Sequence, residues 1–168
     1  MIIGLTGHTK GLGFELCKNF SIQKKYSRSN GYDINDPLKI VEDAMDCDVF
    51  INNAYDFKNG FAQTNLLLCL YKNDFKGMVI NISSSIETLV REDLREYDIH
   101  KRSLIDCSKH LYYLGFKTSV ISPGAIDAGL GKSFKGNKLQ ISSVVNSIDF
   151  IIKECGRVQH LIITGRFL

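Results

Sequence analysis

The chain has no Cys-x-x-Cys pair, only two prolines, little net charge and no long apolar run. Its five cysteines (Cys17, Cys47, Cys69, Cys107 and Cys155) are odd in number and widely spaced. That pattern argues against a disulfide framework or a zinc site and fits reduced, mostly buried thiols; no metal site is expected. The longest apolar stretch, Leu66 to Leu70, is far too short to cross a membrane. A net charge of +3, with no basic stripe interleaved with aromatics, speaks against nucleic acid as a partner. Met1-Ile2-Ile3-Gly4-Leu5 already reads as a strand, so no targeting segment is expected, and a soluble, cytoplasmic protein is. With no internal repeat, low-complexity tract or linker, residues 1–168 are expected to form one domain.

What is present is a regular alternation of short apolar runs with helix-period segments, the pattern of an α/β fold built on a parallel sheet. Strands are expected at Ile2–Thr6, Lys24–Ser27, a short piece near Tyr32, Asp48–Asn52, Met78–Ser83, Thr118–Ser122 and His160–Thr164. Helices are expected at Leu12–Phe20, Pro37–Met45, Phe61–Lys72, Arg91–Leu114 and Ser142–Cys155. Asp36 reads as an N-cap before Pro37, and Gly115 as the residue that ends the long helix. The least patterned segment, Ala125 to Gln140, reads as a short substrate loop carrying Lys132, Lys135 and Lys138.

The first strand runs into Thr6-Gly7-His8-Thr9-Lys10-Gly11-Leu12-Gly13 and then a helix. Glycines there permit a tight bend and let backbone N–H groups approach a pyrophosphate at the positive end of the helix. Gly7, Thr9, Lys10, Gly11, Leu12 and Gly13 are therefore candidate dinucleotide contacts. The second strand ends at Ser27-Arg28-Ser29, where an acid would select a ribose 2′-hydroxyl and an arginine accommodates a 2′-phosphate. Arg28, with Lys10 as a second cation, points to NADP (as NADPH) rather than NAD. Asp33 is a candidate acceptor for the adenine amino group.

Tyr97 and Lys101 stand at i and i+4 of the long helix, on one face, and Tyr97 follows Ser84 by 13 residues. An ammonium beside the phenol favours phenolate; bringing a tyrosine to neutral pH takes about 4 kcal/mol of such stabilisation. Ser84, at a strand end, is placed to hydrogen-bond a substrate oxygen beside Tyr97. The same spacing recurs at Tyr113 and Lys117, but that pair straddles Gly115 and is read as a decoy.

Together these residues resemble the short-chain dehydrogenase/reductase family from end to end. Thr6–Gly13 is similar to its TGxxxGxG loop, Asn52-Asn53-Ala54 to its NNAG segment, and Ile82-Ser83-Ser84 to its strand-end serine motif. Pro123-Gly124 is similar to its PG turn beside the nicotinamide, and Thr64-Asn65-Leu66 to the helix segment supplying a fourth catalytic residue. The resemblance implies a single Rossmann-type doubly wound parallel sheet with helices on both faces. It implies Tyr97 as proton donor or acceptor, Lys101 as its partner and a ribose contact, Ser84 as carbonyl anchor and Asn65 as part of a proton relay. Asn53, Ala54, Tyr97, Lys101, Pro123, Gly124 and Ile126 join the implied cofactor contacts.

The chain also departs from the family. Asn30–Asp36 and Tyr55–Thr64 leave no room for two of the usual helices, so a trimmed fold is expected. Tyr55 stands where the NNAG glycine would be, and Ala128 beside Asp127 where a threonine would anchor the nicotinamide amide. The expected activity is NADP(H)-dependent hydride transfer to or from a small carbonyl or alcohol substrate. The alternative is a sensor or scaffold that binds the nucleotide without turnover. An epimerase or dehydratase would need a substrate domain for which 168 residues leave no space. A homodimer or homotetramer is expected, packed through Leu66, Leu67, Leu68, Leu70, Leu104, Leu111 and Tyr112.

Overall fold

The computed structural model describes residues 1–88, 95–127, 135–154 and 158–165. Among the described residues, six parallel strands form one sheet: β1 (Ile3–Thr6), β2 (Lys24–Tyr26), β3 (Val49–Asn52), β4 (Met78–Ile82), β5 (Thr118–Pro123) and β6 (His160–Ile163), in the order β2-β1-β3-β4-β5-β6. Among the described residues, five α-helices cover it: α1 (Gly11–Asn19), α2 (Pro37–Ala44), α3 (Ala62–Lys72), α4 (Glu96–Tyr113) and α5 (Ile141–Lys153).

Side chains alternate along the strands, and in β1, β3, β4 and β5 both sets are buried. Ile3, Leu5, Val49, Ile51, Met78, Ile80 and Ile82 pack with Leu16 of α1 and Val144, Ile148 and Ile151 of α5. Phe50 and Val79 point the other way, into a core with Ile40 and Val41 of α2, Leu66, Leu67 and Leu70 of α3, and Leu104 and Leu111 of α4. A sheet covered on both faces explains why the strands read as short continuous apolar runs.

The chain builds β1, adds β2 on one side, then crosses to β3 on the other. The strand order therefore reverses between β1 and β3, and the crevice that such a reversal opens lies beyond Thr6 and Asn52. Thr6 staples its two walls: its Oγ1 accepts the N–H groups of Asn53 and Ala54, both at 2.9 Å.

The strand expected near Tyr32 is absent. Ser27 and Asn30 cap each other reciprocally around a 3-10 turn at Arg28–Asn30, which takes the chain out of the sheet. The Tyr32 ring instead packs edge-on against Tyr26, with centroids 5.0 Å apart. Asp36 occupies the N-cap position of α2 but makes no side-chain cap bond, leaving Pro37 as the start signal. Gly115 ends α4 in the left-handed region, at φ +85°.

The leucines expected at an interface lie in the chain's own core. Leu66, Leu67, Leu70, Leu104 and Leu111 are buried, and Leu68 and Tyr112 partly so. Of the cysteines, Cys47 is buried, while Cys17, Cys69 and Cys107 are only partly so and free; Cys155 lies outside the described residues. Among the described residues, no helix is long and apolar enough to cross a membrane.

Candidate active site

The crevice between β1 and β3 is lined by the glycine loop. Gly7 and Gly11 hold φ of +70° and +59°, which lets the loop turn back on itself before α1. A Cβ on Gly13 would lie 2.1 Å from the Gly7 carbonyl oxygen, so only glycine permits this close approach of helix to strand end. The N-terminus of α1 has no side-chain cap and no acid in its first turn; Lys10 occupies the N-cap position, exposed, with Thr9 exposed beside it. The buried Nδ1 of His8 has no hydrogen-bond partner among the described residues. Uncapped N–H groups, a helix dipole without an internal counter-charge and a bare backbone together fit the pyrophosphate of a dinucleotide.

Across the crevice, β4 ends at Ile82 and delivers Ser83 and Ser84 opposite the first turns of α4. The Ser84 hydroxyl faces the Tyr97 phenol. Burial pushes the Tyr97 phenol above its ordinary value; the Ser84 hydroxyl pulls it back, and the Asp98 carboxylate adds to the rise. The expected lowering by Lys101 is not among the causes of this shift: the Lys101 amine lies 5.8 Å from the Tyr97 ring centroid and makes its hydrogen bonds to Gln63 and Ile82. Lys101 is only 3% exposed and donates to Gln63 Oε1 at 2.8 Å and to the Ile82 carbonyl at 3.0 Å. Burial lowers its pKa to about 7.

Tyr55 fills the space beside this pair. Its ring meets Tyr97 edge-on, with centroids 5.1 Å apart, and Lys101 Nζ lies 5.1 Å from the Tyr55 centroid. His100 holds the ring in place through a 3.0 Å bond between Nδ1 and the Tyr55 hydroxyl. His100 packs in turn on Phe61 and against Gly60, where a Cβ would fall 1.7 Å from the imidazole.

No protein-family model and no curated protein matches the sequence. Solved structures match over nearly its whole length. A short-chain dehydrogenase from Burkholderia cenocepacia in complex with NADP is similar at 17% identity, over 96% of this chain and 87% of that one, with a TM-score of 0.78. A 4-hydroxyisoleucine dehydrogenase mutant complexed with NADH and succinate is similar at 16% identity, over 98% and 97% of the two chains, with a TM-score of 0.76. A 3-ketoacyl-(acyl-carrier-protein) reductase from Brucella melitensis complexed with NADH is similar at 15% identity, over 98% and 96%, with a TM-score of 0.73. The chain has the short-chain dehydrogenase/reductase fold.

On that fold, Ser84, Tyr97 and Lys101 converge at the carboxyl end of β4. Asn65 does not join them: it lies on the exposed side of α3, and Lys101 bonds Gln63 instead. Gln63 was missed in the sequence, although a signal was there. It falls on the buried stripe of α3 with Leu66, Leu67 and Leu70, a polar residue at a core register.

Asn53 reaches back to the Thr6 carbonyl at 3.0 Å, and Ala54 is tied to Thr6 Oγ1, so both form the crevice wall. Pro123 ends β5, Gly124 N–H donates to the Ile163 carbonyl at 2.7 Å, and Ile126 bridges to Leu139. Ala128 and Lys132 lie outside the described residues. Lys138 pairs with Asp127 at 3.3 Å.

Arg28 sits just past β2, as expected, but it is not without acids. It lies 3.6 Å from Asp33 and 3.8 Å from Asp56, within a net that Asn35 completes by bonding both carboxylates. Asp33 is thus partnered by Arg28 and Asn35. Bonds from the Lys58 N–H and Asn35 hold the Asp56 carboxyl below its ordinary value.

Proposed function

We propose that the protein is an NAD(P)H-dependent oxidoreductase that interconverts a small carbonyl compound and its alcohol, with Tyr97 as the acid or base. The convergence of Ser84, Tyr97 and Lys101 beside the β1–β3 crevice carries this reading. The similar structures with NADP or NADH support a nicotinamide cofactor, which when bound supplies or accepts the hydride.

The glycine loop and the first turn of α1 hold the pyrophosphate, with Gly7, Thr9, Lys10, Gly11, Leu12 and Gly13 as its contacts. Arg28 and Lys10 take a 2′-phosphate, which makes NADPH the preferred form, and Asp33 lies at the adenine end. Asn53, Ala54, Pro123, Gly124 and Ile126 line the nicotinamide side. Ser84 anchors the substrate oxygen and Tyr97 gives it a proton during reduction, or removes one during oxidation. A groove of about 320 Å³ beside the first turn of α4 is lined by the apolar Phe57, Phe61 and Ile99 and by the polar Lys58, Asn59, Glu96 and His100, and offers a substrate body both kinds of contact.

A second reading, a nucleotide-binding sensor or scaffold without turnover, is favoured by Tyr55, whose ring packs on Tyr97 and shields Lys101. Fluorescence titration with NADPH and NADH followed by a carbonyl panel tests both. NADPH binding with turnover supports the enzyme, binding without turnover supports the sensor, and no binding defeats both.

A further inference from the structure

The amide of Gln63 fits its site in one orientation only. Its Nε2 donates to the main-chain carbonyls of Asn52 at 2.6 Å and Ile82 at 3.0 Å, so a flipped amide would set an oxygen against two acceptors. Its Oε1 is thereby turned to Lys101. The frame behind it is equally fixed. Asn52 Nδ2 donates to the Gln63 carbonyl and to Asn81 Oδ1, both at 2.9 Å, and Asn81 donates to Thr118 Oγ1 at 3.0 Å. This buried chain crosses β3, β4 and β5 and ends on the Lys101 amine.

An ammonium has three N–H groups. Two of those on Lys101 go to Gln63 and Ile82. The third is left on the side where Nζ faces the rings of Tyr55 and Tyr97, 5.1 and 5.8 Å from their centroids.

We propose that Gln63 is the positioning residue of the Tyr97–Lys101 pair: its locked amide holds the Lys101 amine and aims the remaining N–H at the cofactor side of Tyr97. The role rests on the reductase reading of this site. It is exerted through Lys101, and the contact itself is measurable without turnover. The sequence motif suggested Asn65 for a neighbouring role, but the helical register of α3 turns Gln63 to the core and Asn65 to solvent.

The test follows Lys101 directly, by NMR titration of the full chain carrying isotope-labelled lysine, with its resonance assigned by loss in Lys101→Met. Gln63→Glu sets a carboxylate beside the amine and should raise its midpoint by about one unit or more. Gln63→Leu removes an acceptor and should lower it, while Asn65→Ala should leave it in place. If Gln63→Leu does not fold, the unbranched Gln63→Met, which also removes the acceptor without setting an oxygen against the Asn52 and Ile82 carbonyls, takes its place. A parallel pH profile of NADPH oxidation should show its Lys101-dependent limb moving in the same directions. An unmoved Lys101 midpoint in folded Gln63→Glu, or an equal shift in Asn65→Ala, overturns the positioning role whatever the turnover. A moved midpoint in a protein whose wild type never transfers hydride overturns the reductase reading, and with it the catalytic meaning of the contact.

Discussion

Gln63 Oε1 and Lys101 Nζ lie 2.8 Å apart, and both side chains are buried. The amide offers a neutral acceptor, so the charge of the amine has little compensation within the protein. Burial accordingly lowers the Lys101 pKa to about 7, and the charge of this residue becomes a function of pH in the neutral range.

That shift has a sign in stability. In the unfolded chain Lys101 titrates at its ordinary value of about 10.4, so between about pH 7 and pH 10 the unfolded state carries the extra proton and stability rises with pH. Below about pH 7 the folded chain must bury the charge, and the full penalty applies. Lys101→Met removes this dependence. Urea melts should find the variant more stable than wild type near pH 6, by a few kcal/mol in order of magnitude, with the gap closing as pH rises. A gap that does not change with pH would contradict the assignment.

Tyr55 tests the shielding of Tyr97. Burial is the largest cause of the raised phenol, and the Tyr55 ring is part of that burial. Tyr55→Gly should bring the Tyr97 titration back toward its ordinary value, read as tyrosinate absorbance against a Tyr97→Phe control. It should also raise the rate of alcohol oxidation, which needs the phenolate. An unchanged Tyr97 titration would show that Tyr55 does not dry the site.

Arg28 tests cofactor choice. A charge-assisted bond to a 2′-phosphate contributes about 1.5–3 kcal/mol, so Arg28→Ala should weaken NADPH binding about 10- to 100-fold and NADH much less. Asp33 and Asp56 draw on the same guanidinium. Arg28 is mostly exposed, so freeing it by Asp33→Asn should strengthen NADPH only about two- to five-fold. Equal losses of NADPH and NADH in Arg28→Ala would remove the 2′-phosphate role.

The sheet was legible because its central strands are buried on both faces: Ile3, Val49 and Ile80 on one face and Phe50 and Val79 on the other all announce themselves as apolar. The strand near Tyr32 was not, since its fate depends on the Ser27–Asn30 capping pair, a local polar contact that outweighs the β propensity of one tyrosine. Tyr97 and Lys101 could be read as neighbours because one helix carries both. The partners of Lys101 could not, because Gln63 and Ile82 reach it across 38 and 19 residues and three elements. The pairing of Arg28 with Asp56 was likewise hidden, arising where the loop after β3 meets the turn after β2. Register along α3 was the one available clue to Gln63, and motif similarity pointed to Asn65 instead.

The most direct measurement follows hydride transfer from NADPH deuterated at its reactive carbon to a panel of aldehydes and ketones, comparing wild type with Tyr97→Phe. Tyr97 as proton donor predicts deuterium in the product alcohol with wild type and a rate about 10²- to 10⁴-fold lower with Tyr97→Phe at saturating NADPH. Wild type that binds NADPH but labels no product, or a Tyr97→Phe variant that labels it at the wild-type rate, would contradict it.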